Sequence, residues 1–171
     1  VFSKAYDQTA LNFKEFIKNS PIDKQLGAII FSPPYANSFD YFESYKLELV
    51  MGDYFSVDQL KSARKRLIRN FRLSNKEKHT KEFSLVEQLC DEIWEAIPKK
   101  EQETGVRDGR NRLVPNMLRC YFEDMSKVLE EGFYSLRQKG TMNIVVDQSS
   151  YIGIPIPTDL IFAQIGEDLG Y

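Results

Sequence analysis

Two short apolar runs set far apart, Gly27–Phe31 (GAIIF) and Thr141–Val146 (TMNIVV), restrict this chain more than any other feature. An apolar run of this length, bounded by turn residues, suits a strand covered on both faces, as in parallel sheets. The second run follows a long amphipathic stretch, about Pro115 to Gln138. There Met117, Leu118, Tyr121, Phe122, Met125, Val128, Leu129, Phe133 and Leu136 share one side at helical spacing, and Gly140 is placed to stop the helix. Beyond the second run SSYIGIPIPTD reads as a loop, after which Thr158 can cap a final helix to Leu169-Gly170. Strand, crossover helix, strand, loop, helix is the order of a parallel α/β sheet.

The segment between the first strand and the long helix exceeds what a crossover needs, and it reads as an inserted helical lobe. One helix is predicted near Val57–Arg72, with Leu60, Ala63, Leu67 and Phe71 on one face. Another is predicted near Phe83–Ile97, opened by a Ser84/Glu87 capping box and stopped by Pro98. Residues 1–56 and 113–171 then form the α/β core, and residues 57–112 the basic lobe. A short amphipathic helix from Ala5 to Lys18, ended by Asn19-Ser20-Pro21, precedes the first strand. With 171 residues, 42% apolar and 28% charged, the chain can bury a sizeable core. Two cysteines, Cys90 and Cys120, have neither metal-clip spacing nor disulfide density, so a cytoplasmic, reducing setting is expected. No apolar run approaches the roughly 18 residues of a membrane span.

The loop after the first strand, Ser32-Pro33-Pro34-Tyr35, is where chemistry is expected, because ligands of doubly wound sheets sit beyond the carboxyl ends of the strands. Two prolines fix φ and remove two N–H donors, leaving carbonyl oxygens aimed in set directions. An acceptor-rich corner with an aromatic face suits the exocyclic amine of a nucleobase. Ser32 Oγ and the Pro33 carbonyl can accept from the amine while Tyr35 stacks on the extruded ring. Hydrogen bonds that draw the amine protons out of the ring plane keep its lone pair from conjugating and make the nitrogen a better nucleophile.

These residues resemble the signature of the amino-methylating DNA methyltransferases, Asp, Asn or Ser followed by Pro-Pro and an aromatic residue. SPPYANSFDYFESYKLEL is similar to the version in site-specific bacterial enzymes, and LRCYFEDMSKVLEEGFYSLRQKG with GIPIPTDLIFAQIGEDLGY is similar to their following segments. The resemblance covers about Gly27–Leu49 and Leu118–Tyr171 and implies a Rossmann-like core. It also implies S-adenosyl-L-methionine as methyl donor, double-stranded DNA as substrate and no metal. By it Ser32, Pro33, Pro34 and Tyr35 are the catalytic loop, with Asp40 and Tyr41 lining the base pocket. Ser in first position favours cytosine N4 over adenine N6. The family's Phe-x-Gly-x-Gly cofactor turn is absent here, since neither Gly27 nor Gly105-Val106-Arg107-Asp108-Gly109 supplies it. A piece of a methyltransferase is expected, inactive alone, with the turn on the remainder or on a partner chain; the start at Val1 agrees with a fragment.

Between Lys61 and Lys81 nine Lys or Arg face Glu77 alone, which makes this either a solvated helix face or a surface that tracks phosphates. Lys61, Arg64, Lys65, Arg66, Arg69 and Arg72 are the candidates there. Arg107, Arg110 and Arg112 form an Arg-rich loop that leans toward DNA contact. Trp94 shares a helix face with Val86, Leu89, Cys90, Ile93 and Ile97 and is expected in the core. His79 reads as a surface residue. Two other functions keep the fold: methylation of an RNA base or protein amide, and a catalytically inactive nucleic-acid-binding module. Ser before Pro-Pro argues against the amide.

Overall fold

The computed structural model describes residues 5, 6, 8–19, 26–37, 39–71, 73, 74 and 77–171. A 3-10 turn at Ala10–Asn12, held by Thr9, leads into helix α1, Phe13–Asn19. Strand β1, Leu26–Phe31, follows, then α2, Tyr41–Met51, and α3, Val57–Arg64. Two long helices come next, α4 at Ser84–Thr104 and α5 at Val114–Ser135. Strand β2, Leu136–Ile144, pairs parallel with β1, aligning Ala28 with Thr141 and Phe31 with Ile144. A hairpin of β3, Ser149–Tyr151, and β4, Ile154–Ile156, precedes α6, Thr158–Leu169. The chain is thus α/β, with a parallel sheet joined by a crossover, as in part of a Rossmann-like core.

Helix α5 organises the molecule because its inward side is apolar over its whole length. Met117, Leu118, Tyr121, Phe122, Met125 and Leu129 are all at most 2% exposed. They pack with Val86, Cys90, Ile93 and Ile97 of α4, with Ile161, Phe162 and Ile165 of α6, and with Ile156 of β4. Helix α4 of the 57–112 segment and the flanking elements therefore share one hydrophobic core. Burying each such side chain is worth about 1.5–3 kcal/mol. Gly132 lets α5 approach the sheet, since a Cβ there would collide with the Met142 side chain of β2.

Only one face of the sheet is covered. Ile29, Met142 and Ile144 are partly buried on the α5 side, whereas Ala28, Ile30 and Thr141 are exposed, Ile30 to 74%. The expectation of a strand covered on both faces fails here because no element described packs on the outer side.

Several boundaries differ from expectation for local reasons. Helix α3 ends at Arg64 rather than near Arg72, which itself lies outside the described residues, as do Ser20 and Pro21. Helix α4 runs through Pro98 to a left-handed Gly105. Pro98 is exposed, so the carbonyl it fails to bond faces water. The Ser84 capping box does not form, because the N-cap is Phe83 and Glu87 turns to Arg119 instead. Helix α5 ends before Gln138, and β2 starts at once, with Gly140 inside the strand. Thr158 is the first helical residue, its hydroxyl donating to the Ile156 carbonyl rather than capping. SSYIGIPIP is a hairpin rather than a loop, its turn made by Ile152 and Gly153, both at positive φ. Trp94 is 41% exposed, at the rim rather than within the core. Cys90 and Cys120 are buried and free.

Candidate functional site

Ser32 leaves β1 at the carboxyl edge of the sheet and is tied at once to the neighbouring strand. Its Oγ–H donates to the Val145 carbonyl at 3.0 Å, while the Val145 N–H donates to the Phe31 carbonyl at 3.0 Å. With its proton committed, the exposed Ser32 Oγ has lone pairs left to accept. Pro33 is buried and Pro34 exposed. The Pro34 carbonyl accepts from the Tyr121 hydroxyl at 2.7 Å. Tyr35 is partly buried, and its carbonyl accepts from the Asn37 N–H at 2.7 Å. Ala36, fully buried, accepts from the Tyr151 hydroxyl at 3.3 Å. Among the described residues no hydrogen bond reaches the Pro33 carbonyl. The loop's start thus holds two acceptors with capacity left, the exposed Ser32 hydroxyl and the carbonyl of buried Pro33.

The two tyrosines stay protonated donors. Burial in the core pushes the Tyr121 hydroxyl well above its ordinary value, with neighbouring Tyr41 adding to the effect. Burial likewise pushes Tyr151 up to about 12, against the opposing charge of Arg110. The residues read from sequence as base-pocket lining, Asp40 and Tyr41, open helix α2. Asp40 is its N-cap, with Oδ1 accepting from the Glu43 N–H at 3.0 Å and Oδ2 at 3.3 Å from Arg64 Nη2. Tyr41, 39% exposed, meets Phe39 edge-on with centroids 4.7 Å apart.

The basic candidates divide. Lys61, Lys65, Arg66 and Arg107 are exposed, and Arg110 is exposed with its guanidinium 5.8 Å from the Phe71 ring centroid. Arg64 is paired with Asp40 and Glu43 and lies over Phe42. Arg69 is held by Asp124, with Nη2 to Oδ1 at 2.7 Å, and by Glu123. Arg112 pairs with Glu101 at 2.7 Å. Arg72 lies outside the described residues. Two residues bond the loop without having been expected there: Tyr121, read only as part of the apolar helix face, and Tyr151. A Tyr on the buried face of an apolar helix was the available signal, since its hydroxyl must find a partner.

Among the described residues, surface cavities of about 250 and about 600 Å³ lie away from the loop, and neither is lined by residues 32–35. The glycines do not form a cofactor turn behind β1: Gly27 lies within the strand, and Gly105 caps α4. Among the described residues, then, no glycine turn of that kind follows a strand. Among the described residues no group of three or more His, Cys, Asp or Glu is disposed to hold a metal, and no helix is long and apolar enough to cross a membrane.

Comparison with known proteins gives relatives over most of the chain. It is 32% identical over 147 residues to the Type II methyltransferase M.AvaI of Nostoc sp., covering 84% of this chain and 30% of that protein, and equally so to M.AvaI of Anabaena variabilis. It is 29% identical over 186 aligned positions to the Type II methyltransferase M.BsoBI of Geobacillus stearothermophilus, covering 92% of this chain and 35% of that protein. The chain spans about a third of the length of the curated relatives it matches. No family model matches it, and no solved structure does.

Proposed function

We propose that this chain is the base-holding part of a site-specific DNA methyltransferase of the amino-methylating kind, with cytosine N4 favoured over adenine N6. The observation that carries the reading is the state of Ser32. Its proton is given to the Val145 carbonyl, so Oγ faces outward as an acceptor beside an unpaired Pro33 carbonyl. Similarity to Type II methyltransferases over 84% and 92% of the chain supports it.

In this reading the target base leaves its helix and stacks on Tyr35, with Pro34 stiffening the turn. Ser32 Oγ and Pro33 O each accept from the exocyclic amine and pull its protons from the ring plane, leaving the lone pair localised on nitrogen. S-adenosyl-L-methionine supplies an electrophilic methyl group, and its cradle belongs to the rest of the polypeptide or to a partner chain. The contribution of this chain is orientation and polarisation of the nucleophile. Asp40 and Tyr41 shape the pocket edge through the start of α2. Duplex DNA is tracked by the exposed cations Lys61, Lys65, Arg66, Arg107 and Arg110 within residues 57–112, a segment we read as inserted into the methyltransferase core, with Arg64, Arg69 and Arg112 bracing it.

Ser32→Ala and Tyr35→Ala in the full-length enzyme should each lower turnover on duplex DNA by about 10- to 100-fold while leaving melting temperature within a few degrees. Nucleoside mass spectrometry of the product reports N4-methylcytosine or N6-methyladenine. Undiminished turnover in both variants refutes the assignment. The missing glycine turn favours one second reading, an inactive nucleic-acid-binding module. Titration of residues 1–171 and of the full-length protein with S-adenosylmethionine separates the two, since the first reading requires binding near micromolar strength, about −8 kcal/mol, in the longer protein.

A further inference from the structure

We propose that Tyr121 and Tyr151 are positioning residues that set the Ser32–Tyr35 loop from outside, an inference that rests on the amine-holding role of that loop. Two successive prolines deprive the loop of the N–H groups with which a turn usually closes on itself. The carbonyls of Pro34 and Ala36 must therefore find donors elsewhere. Hydroxyls from two separate elements reach them: Tyr121 from α5 at 2.7 Å and Tyr151 from β3 at 3.3 Å. These two bonds bracket the Tyr35 peptide unit, and the Asn37 N–H takes the carbonyl of Tyr35 itself.

The donors are built not to move. Tyr121 is 2% exposed, edge-on to Phe122 with centroids 5.0 Å apart and stacked near-parallel on Phe162 at 6.4 Å. Ala36 is wholly enclosed, so solvent does not compete with the Tyr151 hydroxyl for its carbonyl. Because Pro34 and Ala36 are pinned on either side of it, the Tyr35 backbone is held and the direction in which its side chain leaves the loop is set. A stacked base would inherit that placement. By the same division of carbonyls, Pro33 O is left for the substrate. The bond angles that polarise the amine are thus fixed by groups that never touch it.

Tyr121→Phe keeps the ring and its packing and deletes the hydroxyl; Tyr151→Phe does the same at the longer bond. In the full-length enzyme acting on duplex DNA, Tyr121→Phe is expected to lower kcat about tenfold, with KM for DNA and for S-adenosylmethionine within twofold of wild type. Tyr151→Phe is expected to lower kcat about threefold. Hydrogen exchange at the Tyr35 and Ala36 amides should accelerate in both. A kcat within twofold of wild type in Tyr121→Phe overturns the proposal, and so does a fall shared equally by kcat and KM. Should Tyr121→Phe lose its cooperative melt, Tyr151→Phe decides by the same criteria. A wild-type enzyme that methylates no DNA sinks the functional reading instead, and then unaltered exchange of the two loop amides alone overturns the positioning role.

Discussion

Helices α5 and α2 flank the same loop and are built on opposite terms. Helix α5 buries a continuous apolar side from Val114 to Ser135, while α2 buries no residue at all, and Leu47 and Met51 stand 66% and 84% exposed. The α5 side meets α4, α6 and the inner face of the sheet; α2 is held by its Asp40 cap and by the pairing of Arg64 with Asp40 and Glu43. The loop is therefore rigid where it touches α5 and thinly covered where it leads into α2. In the proposed function the extruded base would enter between one fixed wall and one open one.

The largest test of this contrast is in the packed wall. Phe122→Ala removes a fully buried ring that meets both Tyr121 and Phe162, and it should cost about 3–5 kcal/mol in urea or thermal unfolding. A loss under 1 kcal/mol would mean that α5 is not the keystone described.

Next in size is the Arg69 cluster, where one guanidinium satisfies Asp124 and Glu123, each side chain about 15% exposed. Arg69→Ala should cost about 2–3 kcal/mol, because two largely buried carboxylates each lose their charged donor. Burial alone would raise the Glu123 carboxyl, but hydrogen bonds from Thr80 and Arg69 outweigh it and leave the pKa lowered to about 2. A carboxyl depressed on folding adds stability above its unfolded value, about 4.3, and loses it as pH falls through the folded value. Unfolding midpoints should therefore drop between about pH 4 and pH 2, and the slope should flatten in Arg69→Gln. Equal slopes in the two proteins would discharge Arg69 from that role.

The smallest effect is expected on the open wall. Leu47→Ala and Met51→Ala in α2 should each change stability by no more than about 0.5 kcal/mol. A loss as large as that from the packed wall would show that α2 is covered in the full-length protein and would erase the contrast.

What could be read from the residues follows the same division. Helix α5 was legible because burial imposes a period on its apolar residues, strand β1 because its apolar run is short and bounded by turn residues, and Ser32-Pro33-Pro34-Tyr35 because consecutive prolines leave a local mark. Helix α2 was opaque, since an exposed helix has no apolar stripe; only Asp40 three residues before Glu43 marked its start. The β3–β4 hairpin was opaque for a different reason. Its turn puts a β-branched Ile152 at φ 53, a conformation that usually calls for Asn or Gly. The bonds from Tyr121 and Tyr151 span 87 and 115 positions, and no local pattern encodes a pairing at that range. Exposed and paired cations also read alike along a chain, so Lys61 and Arg69 were indistinguishable until Asp124 and Glu123 were brought beside the latter.

The hydroxyl of Ser32 and the carbonyl it serves are 113 positions apart, and that distance has a consequence for biogenesis. A ribosome finishes the Ser-Pro-Pro-Tyr corner long before it reaches Val145, and at the usual 5–20 residues per second the wait is on the order of ten seconds. Through that interval the serine has no acceptor to orient it. The nascent polypeptide thus carries the tetrapeptide without the bond that turns its serine, and that bond forms only when the second strand threads home.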